Sequence, residues 1–339
     1  MNVIPKRRVT VRQVAQVAGV SPATVSRILN GTAAVDAEKR RAVEQAVALL
    51  GYRPNAAARS LVTGSSGIVG VLTPDLASPY YSDVLGGIEE GLEGSPYSPL
   101  IGSGHWNRRD EQRVLDVLLR HQAEGLIVFG SSLDEGDLRA VAGHVPTVVL
   151  GRRVHLTDLG GGAMSFDNVG GARAATRHLT QHGHRVIGHI MGDPAHEDAH
   201  ERLHGYRLGL EDAGLPFDPA LVVQGDYRVP SGVLGMGRLL DLGRPITAVF
   251  CANDQTAIGA RLALYRRGLR VPDDLSLVGF DDQPGSAYTT PPLTSVRQPM
   301  REAGLAMARF LLARLRGQSP DVSAPQTELV VRESVARRR

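Results

Sequence analysis

From residue 68 onward, short uninterrupted apolar runs alternate with stretches whose apolar residues recur every three or four positions. The runs cover 68–72, 125–129, 147–150, 185–191, 221–224, 248–251 and 275–280. They are rich in Val, Ile and Leu, as parallel strands buried on both faces must be. A further strand is expected over 163–167. Helical spacing fills the intervals near 80–93, 107–122, 169–182, 200–213, 230–241, 254–267 and 299–316. Repeated strand–helix order predicts one or two doubly wound α/β sheets.

The first 60 residues follow a different pattern. Thr10 is a helix cap, with Gln13 as its capping-box partner, and Val14, Ala15 and Ala18 share one face. Gly19 permits a sharp turn. Ser21 can cap a second helix, with Pro22 at its first position, where a missing N–H costs nothing. That helix carries the small, polar and basic residues Ala23, Thr24, Ser26, Arg27 and Asn30, the composition of a helix that enters a DNA major groove. Asp36 caps a third helix that ends at Gly51. Val14, Val25, Val43 and Val47 are the expected core of the three. Residues 55–61 are Ala-rich but only about two turns long, too short for a stable isolated helix.

Charge sharpens this division. Residues 1–60 hold ten Lys or Arg and three acids, a net of +7; against +3 for the whole chain, the remainder carries −4. Such asymmetry fits a headpiece that neutralises phosphates. The single cysteine, Cys251, sits in an apolar run and has no partner for an internal disulfide, as expected of a reducing compartment. No run approaches the roughly 18 apolar residues of a membrane span, and no apolar segment follows the N-terminal basic residues. The expected location is the cytoplasm, at the nucleoid.

Ligands of parallel α/β sheets sit at the carboxyl ends of the strands. The polar residues there are Asp75, Tyr80 and Tyr81, Ser131 and Ser132, Arg152, Asp167, His196 to Arg202, Tyr227, Asn253 and Asp254, Asp281 and Asp282, and Gln298. Carboxylates, amides and guanidinium groups can bracket neighbouring hydroxyls, and an aromatic ring packs on the C–H face of a sugar. About half of the Asp and Asn residues, notably Asp254 and Asp282, are expected to act only as helix caps. The stretch 196–200 also satisfies His-Glu-x-x-His, with His204 one turn on, so metal chelation is a rival reading. Gly160, Gly161 and Gly162 lack the Lys and Ser/Thr of a phosphate loop, and no nucleophile elbow is present. Neither a metal nor a cofactor is expected.

The run Val-Ser-x-x-Thr-Val-Ser-Arg-x-x-Asn over 20–30 and the run Gly-Tyr-x-Pro-Asn-x-x-Ala-Arg-x-Leu over 51–61 resemble the lactose-repressor (LacI–GalR) family of bacterial transcription regulators. The resemblance continues through Pro74 and Asp75, Pro79 to Tyr81, 125–128, 201–206, 252–254, 278–282 and 294–298. It implies an all-α helix-turn-helix headpiece with a hinge helix over 1–61, a linker over 62–67, and a regulatory domain over 68–339. That domain would be α/β and periplasmic-binding-protein-like, with two doubly wound subdomains, 68–167 plus 297–325 and 168–296 plus 326–339. The implied function is an effector-controlled repressor that binds a palindromic operator as a homodimer.

Ser21, Ala23, Ser26 and Arg27 would read bases, with Pro22 and Ala23 against thymine methyls. Thr10, Asn30 and Asn55 would anchor phosphates, while Leu61 would wedge into the minor groove from a hinge that folds on DNA, a hinge that also includes the DNA-binding position Ala58. The effector would meet Tyr80, Tyr81, Ser131, Asp167, His196, Asp198, Arg202, Tyr227, Asn253, Asp281 and Gln298. A sugar is the expected effector. A purine stacked on Tyr227, or a phosphorylated metabolite on Arg152 and Arg153, is the alternative within this class. A sugar-binding protein or a metalloenzyme is the alternative outside it.

Overall fold

The computed structural model describes residues 9–30, 36–52 and 64–338. The chain forms two compact units, Met1–Gly67 and Ile68–Arg339. In the first, α1 (Val11–Ala18), α2 (Pro22–Asn30) and α3 (Ala37–Leu50) follow one another. The Thr10 amide donates to Gln13 Oε1 at 2.8 Å and the Gln13 amide to Thr10 Oγ1 at 3.4 Å, closing the capping box. Gly19 takes φ +66°, a conformation that costs other residues about 1–2 kcal/mol. Ser21 Oγ accepts from the Thr24 amide at 3.1 Å, and Asp36 from the Glu38 amide at 3.0 Å. Val14, Val25 and Val43 are fully buried, joined by Ala15, Ile28 and Ala46. Val47 packs at the margin instead of inside, because α3 turns the line through 43 and 46 toward its neighbours. Asn55, Ala58 and Leu61 lie outside the described residues, as does the side chain of Asn30.

The second unit contains two sheets. The first comprises β1 (Ile68–Thr73), β2 (Ser98–Ser103), β3 (Gly125–Phe129), β4 (Thr147–Leu150) and β5 (Gly162–Met164), all parallel, in the order β2-β1-β3-β4-β5. Helices α4 (Pro79–Leu92), α5 (Arg108–Arg120) and α6 (Glu135–Ala142) connect them. Alternate residues serve opposite faces: Val69, Val71 and Ile127 pack with Ile88 and Met307, whereas Leu72, Leu126 and Val128 pack with Leu115 and Leu118.

The second sheet comprises β6 (Ile187–Ile190), β7 (Val222–Val223), β8 (Ala248–Cys251), β9 (Ser276–Asp281), β10 (Thr294–Arg297) and β11 (Glu328–Val330), in the order β11-β10-β9-β8-β6-β7. Only β11 runs antiparallel to its neighbour among these pairs. Its helices are α7 (Asn168–Gln181), α8 (Glu197–Glu211), α9 (Val229–Asp241) and α10 (Asp254–Arg266). After β10 the chain leaves this sheet. Helix α11 (Met300–Leu315) packs on α4 beside the first sheet, and the chain then returns to add β11. Three connections, 165–167, 298–299 and 316–327, therefore join the two sheets. Helices α4 and α11 touch through backbone: a Cβ on Gly304 would collide with the Val84 carbonyl, and one on Gly87 with the Arg301 carbonyl.

Several elements differ from the sequence expectation. Strands β2, β10 and β11 and helix α6 were not anticipated, and α8 starts three residues earlier than expected. Strand β2 is a half-buried edge containing Pro99, a residue that edges tolerate. Strand β10 buries Thr294 and Ser295, whose hydroxyls are hydrogen-bonded, so its burial leaves no apolar run.

Candidate functional site

On α2 the residues Pro22, Ala23 and Arg27 are exposed, as is Ser21 just before it, while Ser26 is half-buried. Ser21 Oγ lies 2.9 Å from Thr24 Oγ1, and Thr10 Oγ1 donates to Gln13 Oε1 at 3.1 Å. Both hydroxyls hold helix N-termini, whose amides favour phosphate. The exposed guanidinium of Arg27 is the group on this helix with the reach and fork geometry to read a guanine edge.

In the second unit the strand ends of both sheets converge on a cavity of about 420 Å³. From the first sheet come Asp75, Tyr80 and Tyr81 after β1, Trp106 after β2, Ser131 after β3 and Arg152 after β4. The second sheet and its helices supply Asn168, His196, Asp198, Arg202, Tyr227, Asn253 and Asp281, with Gln298 from the connection to α11.

Arg202, only 2% exposed, forms the polar centre. Its Nε donates to Asn168 Oδ1 at 3.1 Å and its Nη1 to the Ala252 carbonyl at 2.5 Å. Asp281 Oδ1 lies 3.5 Å from Nη1, and Asp198 Oδ2 lies 3.6 Å from Nη2. The guanidinium carbon stands 3.9 Å from the centre of the Phe280 ring, a cation–π contact strengthened by burial. Burial works against the Arg202 charge, but Asp281, Tyr227, Asp198 and Tyr80 together outweigh it and hold the proton more firmly than usual. The Tyr80 hydroxyl donates to Gln298 Oε1 at 2.7 Å, and Gln298 Nε2 donates to Asn168 Oδ1 at 3.2 Å. A continuous relay thus links α4 of the first sheet to Arg202 of the second. Burial pushes the Asp281 carboxyl up to about 8 despite the opposing pull of Arg202. Asp281 Oδ1 is buried and accepts no hydrogen bond, and its backbone takes φ +98°.

Aromatic rings line the rest of the cavity. Tyr227, at φ +66°, stands against the backbone of Gly192, where any side chain would collide with its ring. His196 stacks 5.9 Å from Tyr227 at 11°, and Trp106 stacks 4.1 Å from His196 at 29°. His105 and Trp106 both have positive φ, +54° and +55°, at a cost of about 1–3 kcal/mol each. Burial raises the Tyr80, Tyr81 and Tyr227 phenols well above their usual range, so all three are neutral donors at pH 7.

Ten of the eleven effector positions expected from sequence line this cavity; Asp167 does not. Its exposed carboxylate caps α7 by accepting from the Gly170 amide at 2.7 Å, and Asn168, one residue on, faces the site. Ser131 lies in the wall with its hydroxyl spent, donating to Glu111 at 2.7 Å and accepting from the Leu133 amide at 3.0 Å. Asn253 caps α10 through Thr256 and donates to the Tyr227 carbonyl at 3.0 Å, so it positions Tyr227. Asp254 accepts from Ser286, Ser295 and the Gln283 amide, and Asp282 pairs with Arg332; both are internal struts. The His-Glu-x-x-His stretch does not converge. His196 precedes α8 and turns to Trp106, while a ring nitrogen of His200 lies 2.8 Å from the Pro194 carbonyl. Among the described residues no three His, Cys, Asp or Glu side chains meet in a metal-holding arrangement.

Comparison with known proteins accounts for this combination of headpiece and cleft. Residues 10–55 match bacterial regulatory proteins of the lacI family, and 176–335 match the periplasmic binding protein-like domain. The HTH-type transcriptional regulator GalR of Salmonella typhimurium strain LT2 is 35% identical over 329 residues, 97% of this chain and 95% of that one. The chain belongs to the lacI family. It is a DNA-binding transcription regulator. The lac repressor dimer bound to operator and the anti-inducer ONPF superposes with a TM-score of 0.86 at 31% identity, covering 97% of this chain and all of that one. A CelR–cellobiose complex gives 0.71 at 34% identity, over 96% and 100%.

For this lacI-family regulator, sequence reasoning missed Trp106 and Asn168, which line the cleft together with Arg153 and Glu201. Arg153 Nη2 pairs with Glu201 Oε1 at 2.5 Å, and Asn168 Nδ2 donates to Glu201 Oε2 at 2.8 Å. Trp106 is the single tryptophan of the chain, a signal that would have marked it had β2 been recognised.

Proposed function

We propose that this regulator is a repressor that binds a neutral carbohydrate in its cleft and thereby alters its hold on a palindromic operator, which it grips as a homodimer. Residues 1–61 are the DNA-binding headpiece with its hinge, and 68–339 the effector and dimerisation domain. The protein acts in the cytoplasm and carries out no catalytic step. Ser21, Ala23, Ser26 and Arg27 read bases, and the effector rests on Tyr80, Tyr81, Arg202, Tyr227, Asp281 and Gln298, with Asn168 in place of Asp167.

The observation that carries this reading is Asp281 Oδ1, a buried oxygen beside Arg202 and on the cavity wall that accepts no hydrogen bond. A buried oxygen of this kind calls for a hydrogen-bonding partner, and a hydroxyl serves whichever way the carboxyl is protonated. Seven carboxyl groups line the cavity against four guanidinium groups, and Arg153 and Arg202 already have carboxyl partners. A phosphorylated effector would meet net repulsion there. The operator-bound lac repressor dimer and the cellobiose-bound CelR, both similar to this chain, support the operator, the dimer and the sugar. A ligand shifts operator affinity only through its differential affinity for two cleft arrangements, typically ~1–3 kcal/mol.

The test is thermal shift of the intact protein with neutral sugars, sugar phosphates and purines, followed by operator affinity with each hit. Neutral sugars should raise the melting temperature, and Arg202→Ala should abolish the rise. Stabilisation by purines or phosphates alone would overturn the reading.

A further inference from the structure

We propose that the cleft contains a second sugar subsite built on Trp106, which makes the effector a disaccharide or a longer saccharide. This rests on the carbohydrate reading above and extends it. The groups that can bracket the hydroxyls of one ring cluster around Arg202, with Tyr227 beside them, 5.6 Å from the guanidinium carbon to the ring centre. Trp106 is not part of that cluster. Its indole stacks on His196, which in turn faces Tyr227, and it comes from the first sheet while Tyr227 comes from the second.

A single pyranose seated on Arg202 and Tyr227 leaves the indole unused. A second pyranose, linked to the first, meets it. His196 braces the indole from one side, so the ring is held in position for a carbohydrate face. Consecutive left-handed residues at His105 and Trp106 hold the ring there, and such backbone outliers cluster at binding sites. The cavity wall carries further polar groups outside the Arg202 cluster. Asp193, whose carbonyl accepts from the His196 amide at 3.0 Å, lines the cavity. So does Arg152, whose Nη1 donates to the Ser131 carbonyl over a long 3.5 Å. Groups of these kinds can bracket the hydroxyls of a second ring as those around Arg202 bracket the first. The volume of about 420 Å³ lies within the usual range of ligand pockets, about 300–1,000 Å³.

Because Trp106 is the single tryptophan, its emission reports this subsite directly. The full-length protein is titrated with glucose, galactose, cellobiose, lactose and maltose, by fluorescence and by calorimetry, in wild type, Trp106→Ala, Trp106→Phe and His196→Ala. At least one disaccharide should bind about tenfold more tightly than its component monosaccharide, the equivalent of about 1.4 kcal/mol for the added aromatic contact. Trp106→Ala should erase that advantage and leave monosaccharide affinity unchanged; Trp106→Phe should retain part of it. Should Trp106→Ala fail to fold, His196→Ala, which removes the brace on the indole and touches the first ring only through Tyr227, should cost disaccharide affinity more than monosaccharide affinity. Equal loss for monosaccharide and disaccharide, or no loss for either, overturns the subsite while leaving the carbohydrate reading intact. Failure of every saccharide to bind wild type overturns both.

Discussion

Replacing Asp281 by Asn removes one titration from the buried centre of the cleft, and the expected change in stability with pH follows from the geometry. Burial raises the folded carboxyl to about 8, against about 3.9 in an unfolded chain. The folded protein therefore keeps a proton that the unfolded chain releases. The stability this contributes is fully present below about pH 4, declines as pH rises, and is lost once pH passes about 8. The slope is about 1.4 kcal/mol per pH unit, so wild type loses about 2 kcal/mol from this group between pH 6 and pH 8. Asn has the same shape and does not titrate. Asp254, raised to about 6 by burial, is present in both proteins, so the half of its titration that falls within this window cancels in the difference between them. The assay is urea unfolding at pH 6, 7 and 8, read by Trp106 emission, which reports the second unit alone. The stability of Asp281→Asn relative to wild type should rise by about 2 kcal/mol across that window. A flat difference, or one that moves toward wild type, would mean that Arg202 at 3.5 Å holds Asp281 ionised and that burial does not dominate.

Other perturbations separate the remaining claims. Gly304→Ala forces a Cβ against the Val84 carbonyl; it should lower stability by about 1–3 kcal/mol, and an unchanged urea midpoint would argue against tight α4–α11 packing. Thr10→Ala opens the capping box of α1 and should cost about 1 kcal/mol of headpiece stability, measured by circular dichroism. Arg27→Ala should weaken operator binding by ~1–3 kcal/mol and relax one base position; selection of bound sequences identical to wild type would remove Arg27 from base reading.

Much of this protein can be read from local patterns. Thr10 with Gln13, Ser21 with Thr24, Asp36 and Gly51 mark the headpiece helices because a cap acts within one turn of the chain. The apolar runs at β1, β3, β4, β8 and β9 are visible because strands buried on both faces must be apolar throughout. Polar residues after those strands named most of the cleft for the same reason, since the sheets present their carboxyl ends to it. What tertiary structure decided is of another kind. The phase at which α7 begins turns Asn168 inward and leaves Asp167 as its cap, a difference of one residue that no periodicity of the segment records. Half-buried β2 left no apolar run, so the loop after it, and Trp106 with it, stayed hidden. The relay from Tyr80 through Gln298 and Asn168 to Arg202 joins residues up to 218 positions apart. It exists because three chain connections set the loops of two sheets face to face. Caps and hydrophobic period are local energies and leave local marks; the meeting of distant loops is set by topology and leaves none.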